Sequence, residues 1–134
     1  VLKVLDKLQH TNFGLMYDTC HGQMLGVVGA RQQGEKEVVN DQLELISKFS
    51  GRINHIHLID SDNTCHKDAD GNDETSAHPP FGDGILDFDK IVPVLAKENV
   101  GHEWWTVDLC FWPEAWDATE KCKTALDALV SKYG

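Results

Sequence analysis

The sequence predicts an α/β fold with a parallel sheet, made of about three βα units. Three observations carry this. Short segments rich in β-branched and aromatic residues recur at 12–17, 52–59 and 103–107. Amphipathic helical patterns lie around and between them. Each strand pattern runs into an aspartate that opens a loop: Asp18, Asp60 and Asp108. Alternating strands and helices imply parallel strands joined by helical crossovers.

The elements follow in order. Val1 to Leu8 places Val1, Val4, Leu5 and Leu8 as the tail of an amphipathic helix. Asn12 to Tyr17 is the first strand. Lys36 to Phe49 sets Val39, Leu43, Ile46 and Phe49 on one stripe, with Gly51 as its stop. Arg52 to Ile59 is the second strand, and its alternation puts His55 and His57 on one face. Phe88 to Val100 carries Phe88, Ile91, Val92 and Leu95. Its Pro93 is expected near the first turn, since a later proline breaks the backbone ladder. Glu103 to Val107 is the third strand. The last helix opens at Pro113-Glu114, with a proline and an acid where a helix start favours them, and runs to Tyr133. Two long loops, His21 to Glu35 and Ser61 to Gly84, each follow a strand's carboxyl end. Loops of that length are uncommon unless they serve a site or are disordered.

The 134 residues fit one domain, 1–134. A closed (β/α)8 barrel needs about 250 residues. A lone three-stranded parallel sheet leaves two edges and apolar faces uncovered. The chain is therefore expected to be a partial TIM barrel, completed by missing strands or by a homo-oligomer partner, and inactive by itself. Its start, Val-Leu-Lys-Val-Leu, fits the middle of a longer protein. The net charge of −10 disfavours nucleic acid as a partner. No apolar run reaches the ~20 residues of a membrane-spanning helix. Cys20, Cys65, Cys110 and Cys122 form no C-x-x-C pair and are expected as free thiols of a cytoplasmic protein. The acidic run at 67–74 lacks the spacing of a calcium loop and is expected to be solvated. Gly82-Asp83-Gly84 is not a dinucleotide fingerprint.

Asp18, His57 and Asp108 lie at or near the carboxyl ends of three strands. Such ends converge at the mouth of a parallel barrel. Two carboxylates and an imidazole suit Mn²⁺, Mg²⁺, Co²⁺, Fe²⁺ or Zn²⁺ without choosing among them. The plainer alternative is that each aspartate caps a helix or turn. His21 follows Asp18 by three residues and can face the same pocket. His55 is expected deeper, as a support for His57. Asp60 and Asn63 are candidates for substrate hydroxyls, although a turn explains them nearly as well. Trp112 is expected at the pocket, where aromatic faces stack on sugar rings, and Trp116 in packing.

This ordered set resembles the xylose-isomerase-like barrel superfamily. Asp18-Thr19-Cys20-His21 resembles the Asp-x-x-His element after that fold's sixth strand. His57-Leu58-Ile59-Asp60 resembles the pattern after the seventh, and Gly82-Asp83-Gly84 the Gly-x-Gly before the next helix. The resemblance implies the C-terminal part of the barrel. It also implies a divalent-metal-dependent sugar or cyclitol isomerase/epimerase, with Asp18, His57 and Asp108 on the metal. Asp108 would serve as acid/base, and His21 would stabilise a developing oxyanion. Two departures stand out: Asp108 replaces the usual Glu, and Asn63 stands where epimerases tend to have Arg. The family's fourth ligand, a Glu on an earlier strand, has no counterpart. A lyase or dehydratase using the same metal and base is the alternative chemistry. A non-catalytic half-barrel subunit or binding module is the alternative outside catalysis.

Overall fold

The computed structural model describes residues 1–27, 39–98 and 104–134. Among these, three parallel strands form one sheet in the order β1 (Leu15–Asp18), β2 (Ile53–Leu58), β5 (Trp105–Val107). The expected α/β alternation with parallel pairing is present. β2 is central and donates Ile53, Ile56 and Leu58 to the core. Ile46 of α3 (Gln42–Lys48), Ile91, Val92 and Leu95 of α4 (Phe88–Glu98), and Cys122 of α5 (Ala115–Tyr133) pack in the same cluster. Fully burying a side chain such as Ile or Leu stabilises the fold by roughly 1.5–3 kcal/mol.

Local chemistry sets the boundaries. α1 (Leu2–Leu8) buries only Leu5, while Val1, Val4 and Leu8 of the expected stripe are exposed. β1 starts three residues later than expected. A side chain at Gly14 would overlap Asn54, so the chain passes close to β2 there before pairing begins. α3 is shorter than its pattern because Asp41 caps it, accepting from the Glu44 amide at 2.8 Å. The expected start at 36–38 lies outside the described residues. Gly51, at φ +70°, turns the chain into β2.

Two corrections concern proline and tryptophan. Pro93 is the sixth residue of α4, past the first turn. It cannot donate to the carbonyl of Asp89. The Tyr133 hydroxyl stands 3.4 Å from that carbonyl and 2.9 Å from Asp89 Oδ1, so α5 attends to the gap. Trp116 does not pack; it is 89% exposed on the first turn of α5.

The segment from Ser61 to Gly84, read from the sequence as one long loop, has regular structure within it. It contains an antiparallel hairpin, β3 (Cys65–Lys67) with β4 (Asp73–Ser76). Its turn is held by Asp68, which accepts from the amides of Asp70 and Asn72 at 2.9 and 2.8 Å. The acidic run is thus a solvated turn, as its composition predicted.

Candidate metal centre

The strand register brings the expected residues together. Asp18 of β1 stands opposite His57 of β2, and His57 opposite Thr106 of β5, with Asp108 just past that strand's end. Three residues far apart in sequence therefore sit side by side at the carboxyl edge of one parallel sheet. His57 Nδ1 lies 3.6 Å from Asp18 Oδ2 and 3.3 Å from Asp108 Oδ2. One donor atom from each of the three falls within 4.8 Å of the others.

Each aspartate divides its two oxygens between two tasks. Asp18 Oδ1 accepts from the His21 amide at 2.8 Å, as the cap of a short helix (α2, Thr19–His21). Asp108 Oδ1 accepts from the Cys110 amide at 3.0 Å. In both, Oδ2 remains turned to His57. Capping takes one oxygen of each carboxylate and leaves the other free for a ligand's role, so the two readings of the sequence do not compete.

These groups fit a cation. Asp18 Oδ2 and His57 Nδ1 are buried without a hydrogen-bond partner, which is costly for polar atoms. Ligands at the ~2.0–2.2 Å bond lengths of a tetrahedral or octahedral ion stand about 3.0–3.5 Å from one another. The 3.3 and 3.6 Å separations approach that spacing.

A fourth group was missed by sequence reasoning. His78 is 1% exposed, with Nδ1 3.2 Å from the Asp108 carbonyl and 3.6 Å from Asp108 Oδ2. A carbonyl only accepts, so the Nδ1 proton points there and Nε2 is left as a bare lone pair. Nε2 is buried and unpartnered. Asp18, His21 and His78 form a second group of close donor atoms. Burial pushes the His78 pKa down, opposed by the charges of Asp18 and Asp108. The available signal was Ala77-His78-Pro79-Pro80-Phe81, a buried run inside an otherwise polar loop.

The remaining candidates have varied placements. His21 is half-buried, with Nδ1 3.0 Å from Ser76 Oγ and its ring 5.0 Å from that of His78. His55 Nε2 is 3.1 Å from Thr106 Oγ1, and its ring packs edge-on against that of His57. Asn63 is exposed at φ 65°, and its Oδ1 accepts from Gln23 at 3.0 Å. Trp112 is half-buried in the turn after β5.

Asp60 requires a correction. It is 1% exposed, and its carboxylate accepts four backbone N–H groups. Ser61 and Leu86 donate to Oδ1 at 2.9 and 3.0 Å, Gly82 and Gly84 to Oδ2 at 2.9 and 3.1 Å. This carboxylate ties down the loop that carries His78 and has no exposed oxygen for a substrate hydroxyl.

The thiols are free, as expected. Burial pushes the Cys20 thiol up to about 12, and its Sγ donates to the Ala77 carbonyl at 3.0 Å. Cys20 therefore helps hold the segment between Ser76 and His78, and it is no nucleophile. Among the described residues no helix is long and apolar enough to cross a membrane.

Comparison with known proteins gives one match. The family model described as xylose isomerase-like TIM barrel covers residues 1–130. No curated protein and no solved structure matches.

Proposed function

The chain belongs to the xylose isomerase-like TIM-barrel family, and from that premise we propose that it is a divalent-metal-dependent sugar or cyclitol isomerase/epimerase. The observation that carries this is the trio of Asp18 Oδ2, His57 Nδ1 and Asp108 Oδ2, two of them buried and unpartnered. Asp18, His57 and Asp108 hold the ion, with Mn²⁺, Mg²⁺, Co²⁺, Fe²⁺ and Zn²⁺ all compatible with the donor set. When bound, the ion supplies Lewis acidity toward a carbonyl and its neighbouring hydroxyl.

The chain's own groups then move the proton. Asp108 Oδ1 keeps a second lone pair beyond the one that accepts from Cys110, and can take a proton from the carbon beside the carbonyl. His21 faces the oxygen on which charge develops. Trp112 offers an aromatic face to the sugar ring, and Asn63 a polar group at the margin. A second carboxylate comes from outside this chain. In this reading residues 1–134 are the C-terminal three βα units of the barrel, and β1 and β5 pair with strands of an N-terminal half or of a second subunit.

Elemental analysis of the complete protein tests the assignment. Asp18→Ala, His57→Ala and Asp108→Ala are each expected to lose bound metal, and unchanged metal in all three rules out the centre. Incubation with keto-sugars in D2O tests the chemistry: proton abstraction places deuterium on the carbon next to the carbonyl. Metal binding without such exchange in any sugar or cyclitol tried would leave the centre and remove the isomerase.

A further inference from the structure

The hairpin β3–β4 delivers three consecutive residues to the metal centre. Ser76 reaches His21, the Ala77 carbonyl receives the Cys20 thiol, and His78 reaches Asp108. The position is fixed by backbone pairing, with Cys65 opposite Ser76 and the Ala77 amide donating to the Thr64 carbonyl at 3.0 Å. Ser76 is 6% exposed, so its hydroxyl has little access to water.

That hydroxyl has one hydrogen and two neighbours able to take it. His21 Nδ1 is 3.0 Å away, and the Cys20 sulfur also lies against it. The Cys20 thiol hydrogen is committed to the Ala77 carbonyl. The choice is therefore between an imidazole nitrogen and a sulfur, and sulfur is the weak acceptor. His21 Nδ1 is thus the better acceptor of the two, while an Nδ1–H donating to Ser76 Oγ would send that hydrogen to the sulfur instead. An imidazole that accepts at Nδ1 carries its own proton at Nε2.

We propose that Ser76 is a positioning residue that locks His21 in the Nε2–H tautomer, making it a hydrogen-bond donor to a substrate oxygen. This deepens the isomerase reading and rests on it for the identity of the oxygen. It also decides how the group of Asp18, His21 and His78 is used. An Nε2 that bears a proton cannot ligate a cation, so His21 stays free to meet substrate while Asp18 serves the ion. The opposite tautomer, with Nδ1–H donating to Ser76, would turn Nε2 into a ligand.

Nitrogen-15 NMR of the histidine rings in the complete, metal-free protein distinguishes the two. Spectra are recorded well above the ordinary imidazole pKa of about 6.5, and His21→Gln assigns the signals. The wild type is expected to show His21 as the Nε2–H form. Ser76→Ala is expected to shift both ring nitrogens toward the average of the two tautomers, and Ser76→Thr, which keeps the hydroxyl, to restore them. A wild-type spectrum of the Nδ1–H form overturns the proposal, as does a Ser76→Ala spectrum with His21 unmoved. If Ser76→Ala does not fold, Ser76→Gly, which also removes the hydroxyl, takes its place, and an unmoved His21 there overturns the proposal. Metal content is read separately: its loss in the wild type would count against the centre, and the tautomer would stand or fall by itself.

Discussion

Replacing Asp60 by Asn changes one atom and should cost the fold several kilocalories. The carboxylate holds four backbone N–H groups at 2.9–3.1 Å in a site 1% exposed. An amide presents one oxygen, so two of the four keep an acceptor and two face an NH2 group. Each hydrogen bond to a charged group is worth about 1.5–3 kcal/mol, and buried donors left unsatisfied add to the loss. Relaxation of the loop offsets part of this, which leaves about 3–5 kcal/mol. With an m-value of roughly 1–3 kcal/mol/M in urea, the midpoint should fall by about 1–5 M. Urea titration followed by circular dichroism measures it, and hydrogen exchange should show faster exchange at Gly82, Gly84 and Leu86. A midpoint within ~0.3 M of wild type would refute the view that Asp60 is a structural clamp.

Other perturbations separate the remaining roles. Gly84→Ala should destabilise the same loop, because its Cβ would run into the Asp60 carboxylate and lie 2.5 Å from the Ser61 carbonyl; a native melting temperature would contradict this. Asp18→Asn keeps an oxygen for the His21 amide but turns an NH2 toward His57. It should therefore fold while losing metal by at least tenfold in affinity, as calorimetric titration with Zn²⁺ would show. Thiol labelling at pH 8 should modify Cys65 and Cys110 and spare Cys20 and Cys122, which are 0% exposed; labelling of all four in the native protein would count against the packing. The Cys20 thiol is raised in the folded state, so its stabilising effect is complete below the ordinary thiol pKa and is lost as pH climbs toward about 12. Cys20→Ala should accordingly flatten the fall of stability above pH 9. Trp116→Ser should leave the unfolding midpoint unchanged, since the ring is 89% exposed.

What the sequence made legible follows from its periodicities. β2 reads clearly because six residues of alternating and β-branched character define both its face and its end, and His57 comes with it. Asp18 and Asp108 were legible because each closes a strand pattern. The sequence could not say that one carboxylate would cap with one oxygen and turn the other toward His57, since that depends on which oxygen turns where. The hairpin escaped notice because strands of three and four residues, one of them Cys65-His66-Lys67, fall below the length at which alternation registers. His78 was hidden with it. Asp60 resembled its neighbours in a polar loop, and only the return of 82–86 beneath it gives the carboxylate its partners. Pro93 was misplaced because the remedy for a mid-helix proline lies 40 residues away, at Tyr133.

That contact sets the last turn of α5 against the first turn of α4. The Tyr133 hydroxyl has one hydrogen, given chiefly to Asp89 Oδ1 at 2.9 Å, and it stays beside the carbonyl that Pro93 cannot serve only while the far turn of α5 is wound. Fraying at one end should then be felt at the middle of the other, and amides on either side of Pro93 should open in step with those around Tyr133. If they do, a proline that ordinarily marks a weak joint is the point through which one helix reports on the integrity of the next.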